Sequence, residues 1–234
     1  MAPAADALLA VGDFGRVTRV RAGGAVDVVV GIDRGAAAGD LGGDDLGEPA
    51  LTMPVLARVG GVAVGDGRIV IAGDDAVGPV VVVLDAADLA EPSSWTIEGV
   101  ASAVDLVELA GVSYDEENDR FLVVDAGAAC VRALKNDLVI DAASVAGVCG
   151  EPDRFGAFLF KPTAAVARGG DVYVTDTGNH RVVRYTAPDA AEPIIGDGTP
   201  SVAGAGAPAR EFAIAAPRQL GGVRGPQWFR ACRL

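Results

Sequence analysis

An all-β fold assembled from repeated four-stranded sheets is what this sequence predicts, and three features carry the prediction. Half of the 234 residues are apolar but only 5% are aromatic, while Val, Ala, Gly and Asp abound. That mixture suits short strands joined by tight Gly- and Asp-rich turns better than long helices. Three similar stretches each end in aspartate, and Asp74, Asp125 and Asp176 are evenly spaced, 51 residues apart (125 − 74 and 176 − 125). Between the copies run Gly-rich segments that close on proline, Gly31 to Pro54, Gly147 to Pro162 and Gly196 to Pro217. A repeat of about fifty residues with about four strands fits a β-propeller blade, whose two faces are buried only when blades stack.

The elements follow in chain order. A part-blade at 7–31, "ALLAVGDFGRVTRV" and its continuation, carries Asp13, Arg16 and Arg19 but lacks a first strand. Blades are expected at about 54–105, 109–148 and 162–196, within one domain spanning 1–234. In "GVAVGDGRIVIAGD", "GVSYDEENDRFLVVD" and "TAAVARGGDVYVTD", alternation or continuous apolar runs mark strands on either side of a polar turn. Val64, Val70, Leu122, Val123, Val172 and Val174 are therefore expected in buried strands, with Tyr173 on the opposite face from Val172 and Val174. "APRQLGGV", 216–223, reads as an orphan first strand, and "GPQWFRACRL" at 224–234 shows no strand alternation. Pairing of the two chain ends would close a ring of four blades; the irregular tail favours instead an incomplete piece of a larger propeller.

One copy is spelled more fully than the rest. "LFKPTAAVARGGDVYVTDTGNHRVVRY" runs from a Pro-led strand through a Gly-containing turn to an apolar strand, then Asp-x-x-Asn-x-Arg-hydrophobic, and so resembles an NHL repeat over residues 160–185. Elsewhere the pattern is degenerate. Ala128 and Cys130 stand where Asn and Arg belong after Asp125, and no Arg follows Asp74. The resemblance implies a propeller, often six-bladed, used for protein, nucleic-acid or small-ligand binding and occasionally for catalysis; bacterial members of the family are often exported, while the sequence itself leaves the location open.

In this reading the motif is a structural turn lock made by Asp176, Gly178, Asn179 and Arg181, with counterparts at Asp13, Arg16 and Asp125. Asp176 is expected to accept hydrogen bonds from the backbone of the turn, Gly178 and Asn179 to take the left-handed conformation, and Arg181 to pair back onto Asp176.

Charge and side-chain inventory narrow the function. A net charge of −13, with lysine only at Lys135 and Lys161, disfavours nucleic acid, whose binding depends on Lys and Arg displacing counterions. The longest Val/Leu run, Val80 to Leu84, is far too short to span a bilayer, and the first residues lack a basic region and a long apolar run. Cys130, Cys149 and Cys232 lack metal-ligand spacing; Cys130 and Cys149 can meet across strands, but buried free thiols are the expectation. "YDEENDR", 114–120, concentrates carboxylates and raises a calcium reading, yet it occupies a strand-to-strand turn, so no cofactor is expected. "GDGTPSVAGAGAP", 196–208, lacks the Gly-Lys-Ser/Thr of a phosphate loop and reads as a blade crossing. His180, the single histidine, is expected to be exposed in its turn rather than catalytic.

Two function classes follow. The first is a non-catalytic scaffold presenting loops to a protein, glycan or small-molecule ligand; the second is a propeller enzyme of lyase or lactonase type, assisted by a metal. Without repeated inward carboxylates or a second imidazole, the residues favour the scaffold.

Overall fold

A computed structural model describes residues 7–12, 16–21, 26–30, 47–50, 56–88, 91–101, 105–135, 137–153, 158–200, 208–221 and 230–232. The chain divides into two compact units, Met1–Ser102 and Ala103–Leu234.

The first unit contains strands β1 (Ala7–Gly12), β2 (Arg16–Arg21) and β3 (Val26–Val30), which form a three-stranded antiparallel sheet in that order. Strands β4 (Arg58–Gly65), β5 (Arg68–Asp74), β6 (Pro79–Asp85) and β7 (Thr96–Ala101) form a four-stranded one. Asp66 and Gly67, both at positive φ, make the two-residue hairpin between β4 and β5, whose twist matches that of its strands. Asp75 Oδ1 then accepts the Val77 and Gly78 N–H groups at 2.7 and 2.9 Å and so turns β5 into β6. Residues 69–72 and 80–84 are all buried, so these middle strands are covered on both faces, which explains their continuous apolar runs. Ile69, Ile71, Val80, Val82, Leu84 and Ile97 share one cluster with Val17 and Val30 of the first sheet. Each such side chain contributes about 1.5–3 kcal/mol by leaving water.

The second unit contains β8 (Leu109–Asp115), β9 (Arg120–Asp125), β10 (Cys130–Leu134) and β11 (Ile140–Ala146), then β12 (Ala165–Arg168), β13 (Asp171–Asp176), β14 (Arg181–Ala187) and β15 (Ala190–Ile195). Each group of four is an antiparallel sheet in which every strand pairs with its neighbour in sequence, as in a β-propeller blade. Leu122, Val124 and Val131 of one sheet meet Val172, Val174, Val183 and Tyr185 of the next. Ser113 Oγ donates to Ala165 O at 2.7 Å, stitching the first strands of the two blades together. Pro193 is tolerated in β15 because that strand is the outer edge of its sheet.

Three expectations need correction. Val64 lies in β4 as expected but is 38% exposed; Val70, Leu122, Val123, Val172 and Val174 are buried. Val64 sits one residue before the end of β4, an edge strand with a pairing neighbour on one side only. The segment 216–223 is not an orphan: β16 (Gln219–Gly221) pairs with β17 (Arg230–Cys232), which lies in the stretch expected to be irregular. A ladder of three residues needs only backbone donors and acceptors, so it leaves no side-chain alternation to read. Finally, Cys130 and Cys149 are joined in a disulfide rather than free.

Candidate functional site

The fully spelled motif is built at the end of β13. A single 3-10 turn, Thr177–Asn179, follows Asp176, and the chain reverses at His180, whose N–H reaches Thr177 O at 3.2 Å and whose φ is 53°. Arg181 then opens β14 directly opposite Asp176. The left-handed residue is thus His180 and not Gly178 or Asn179, because the 3-10 turn keeps its own residues right-handed and leaves the reversal to its cap. Gly178 is required for space: an added Cβ would lie 2.4 Å from Phe160 Cδ1 and 2.6 Å from Phe160 O.

Asp176 has no exposed surface. Its Oδ1 accepts the Phe160 N–H at 2.7 Å, and Oδ2 accepts Asn179 Nδ2 at 3.0 Å and Arg181 Nε at 2.7 Å. The backbone donor therefore comes from the preceding crossing segment rather than from the turn. Asn179 Nδ2 also donates to Asp153 O and Phe158 O, at 2.9 and 3.2 Å, and an Arg181 terminal nitrogen donates to Phe158 O at 3.2 Å. Strand end, turn and crossing segment are fastened at one buried carboxylate. Burial pushes that carboxyl above its ordinary range, while the Phe160 amide, Asn179 and Arg181 pull it back down. The Tyr185 phenol, buried beneath the same blade, is pushed well above its usual value by burial and then by the Asp176 charge.

Around this carboxylate lie groups the sequence did not single out. Thr177 Oγ1 donates to Pro217 O at 2.5 Å, Thr163 Oγ1 to Arg218 O at 3.0 Å, and Thr163 also contacts the Thr175 and Thr177 hydroxyls. His180 is only partly exposed, and its Nδ1 accepts the Ala216 N–H at 3.0 Å, which places the proton of the neutral ring on Nε2. The turn therefore grips residues 216–218 as they lead into β16. The residue letters carried one hint, Thr175 and Thr177 flanking Asp176; the grip on carbonyls 40 residues away left no sequence signal.

The counterparts meet the same need with other donors. Among the described residues Asp125 accepts backbone N–H groups, from Val107 at 3.1 Å, Glu108 at 3.0 Å and Ala128 at 2.9 Å. Cys130, in the Arg position, is instead bonded to Cys149 with Cα atoms 5.0 Å apart, since the crossing segment passes back over the turn and Gly150 N–H reaches Ala128 O at 2.8 Å. At Asp74 the guanidinium comes from the first strand, Arg58 Nε lying 2.6 Å from Oδ2. Asp13 lies outside the described residues, and Arg16 opens β2 opposite Gly12.

The other candidates are tied into turns. Asp115 takes Asn118 Nδ2 and Arg120 Nε, each at 2.8 Å, and Asp119 takes the Tyr114 hydroxyl. Glu117 spans to the next blade, where its two oxygens accept the Gly169 and Gly170 N–H groups at 2.8 and 2.9 Å. Among the described residues no group of three His, Cys, Asp or Glu side chains is arranged to hold a metal ion, and no helix is long and apolar enough to cross a membrane. In the crossing at 196–208, Asp197 Oδ1 accepts Thr199 N–H and Oγ1–H; residues 201–207 lie outside the described part.

Comparison with known proteins matches these features. Residues 163–185 fit the model of the NHL repeat. An auxiliary nutrient binding protein from Bacteroides ovatus is similar in fold, with TM-score 0.53 and 16% identity over 92% of this chain and 61% of that one. A second auxiliary nutrient binding protein, from Bacteroides thetaiotaomicron, gives 0.52 and 13% over 92% and 60%. A protein of unknown function from Bacteroides thetaiotaomicron gives 0.62 and 12% over 94% and 52%. The chain thus spans about half to three-fifths of the length of these structures. No curated protein matches its sequence. The chain has the β-propeller fold, and, counting the three-stranded part-blade β1–β3 as the first, β4–β7 as the second and β8–β11 as the third, its fourth blade β12–β15 carries an NHL repeat at residues 163–185.

Proposed function

We propose that the chain is a non-catalytic propeller scaffold that binds a small-molecule nutrient through loops at one end of its blades. The observation that carries this reading is the state of the side chains best suited to chemistry. Asp176 has its oxygens filled by Phe160, Asn179 and Arg181, and His180 has Nδ1 filled by Ala216. A general base must reach the proton it abstracts, and these groups are already spent on the fold. The likeness in fold to two nutrient binding proteins supports the ligand class.

The test is thermal-shift screening of the purified chain against millimolar soluble oligosaccharides, amino acids and nucleosides, followed by calorimetry and by NMR of the ligand over hours. One class raising the melting temperature, with its ligand recovered intact, is the expected result. Steady conversion of the bound compound would show the lyase or lactonase reading to be right. No shift from any class would sink the small-ligand proposal.

A further inference from the structure

The Cys130–Cys149 disulfide stands in the third blade where the Arg181 side chain stands in the fourth. Cys130 faces Asp125 across β9 and β10 in the same register as Arg181 faces Asp176 across β13 and β14. The residues just before them, Ala129 and His180, are both left-handed, at φ 58° and 53°. The crossing segments leave in the same way. Gly147 and Gly196 follow the fourth strands at φ 76° and 90°, and a Cβ on either would meet the carbonyl of that left-handed residue, at 2.8 Å from Ala129 O and 2.5 Å from His180 O. Cys149 lies two residues beyond Gly147. In the fourth blade, Asn179 and Arg181 fasten the turn to the crossing segment that precedes the blade; in the third, Asp125 takes backbone donors and Cys130 is fastened covalently to the crossing segment that follows the blade.

We propose that this disulfide is a redox-sensitive fastening of the crossing segment 147–153, and that the chain works in an oxidising compartment. Disulfides persist where the surroundings are oxidising and are rare where thiol pools are kept reduced. Reduction by a dithiol begins at Cys149, which is partly exposed, while Cys130 is buried. The attacking thiolate forms a mixed disulfide with Cys149 Sγ, and the S–S bond breaks with Cys130 Sγ leaving and taking up a proton. The second thiol of the reductant then displaces Cys149. The protein gains two electrons and two protons, and the dithiol becomes a cyclic disulfide. Cys130 must leave into a buried site opposite the Asp125 carboxylate, which disfavours a thiolate there, so reduction of the folded chain is slow.

The experiment uses the full chain exported to an oxidising compartment. Alkylation in denaturant should label one of the three cysteines without reductant and all three after dithiothreitol. Reduction should speed amide exchange at Gly150, whose N–H is held by Ala128 O. It should also lower the melting temperature by about 6–12 °C, the shift expected from opening a loop of this length in a chain of this size. The double variant C130A/C149A should show both changes and no further response to dithiothreitol, which separates this bond from any made by Cys232. Three cysteines labelled without reductant would overturn the proposal. So would a double variant with wild-type melting temperature and wild-type exchange at Gly150.

Discussion

Replacing Asp176 with alanine is the sharpest test of how the fourth blade is held. The substitution removes one acceptor from the Phe160 amide, one from Asn179 and one from Arg181. Asn179 keeps Asp153 O and Phe158 O, and Arg181 keeps Phe158 O, so neither is fully stranded. The Phe160 N–H loses its side-chain acceptor, and the Arg181 guanidinium, 15% exposed, loses its counter-charge. Breaking a buried pair by deleting one partner costs about 3–5 kcal/mol, and the carbonyls left to Arg181 and Asn179 place this case near the lower end, at about 3 kcal/mol. In a chain of this size that lowers the melting temperature by about 6–12 °C. Urea unfolding followed by circular dichroism gives the free energy directly. Arg58→Ala supplies the contrast, because its pairing with Asp74 is 40% and 25% exposed and is worth no more than about 1 kcal/mol. If Asp176→Ala cost no more than Arg58→Ala, the carboxylate would not be the fastening point described here.

Two further outcomes follow from the same geometry. Gly178→Ala should destabilise the chain by about 2–3 kcal/mol, since its Cβ meets Phe160 O at 2.6 Å and the backbone there must shift; an unchanged urea midpoint would show that the crossing segment gives way freely. The raised pKa of Asp176 also fixes a sign: from its ordinary value of 3.8 up to its raised folded value, the native state holds this proton more tightly than the unfolded chain. This carboxyl's contribution to stability therefore falls as pH rises through that window, and the difference in stability between the wild type and Asp176→Asn should fall with it; a difference that grows with pH would mean that Arg181 outweighs burial.

Much of the fold was legible because blades bury both faces of their middle strands, and the runs Ile69–Ala72 and Val80–Leu84 record that burial in their letters. What escaped were features decided by position in a sheet rather than by composition. Val64 reads like Val70 but sits near the end of a first strand, and Arg230–Cys232 pairs through its backbone whatever its side chains. The Cys130–Cys149 bond was visible as a spacing only. Its formation depends on the crossing segment doubling back over residues 128–130, which the Gly150-to-Ala128 hydrogen bond records and the sequence does not.

The same distinction explains why the repeat is spelled once and blurred elsewhere. Each copy places a carboxylate at the end of its second strand, and each must supply donors to it from the loop or strand packed alongside. At Asp176 the donors include two side chains, Asn179 and Arg181, so letters mark the motif. At Asp125 they are three backbone amides, which any residue except proline provides, so Ala128 and Cys130 serve without loss of a partner for the aspartate. At Asp74 the guanidinium arrives from Arg58, on the strand before rather than the strand after. The three copies thus share the acceptor and differ in their donors. On the proposed reading, donors that differ from blade to blade mark a fastening of the fold, since the reacting atoms of a substrate would require the same groups at the same points. If the chain is the scaffold proposed above, its binding specificity lies in the loops that differ between blades rather than in the repeated residues.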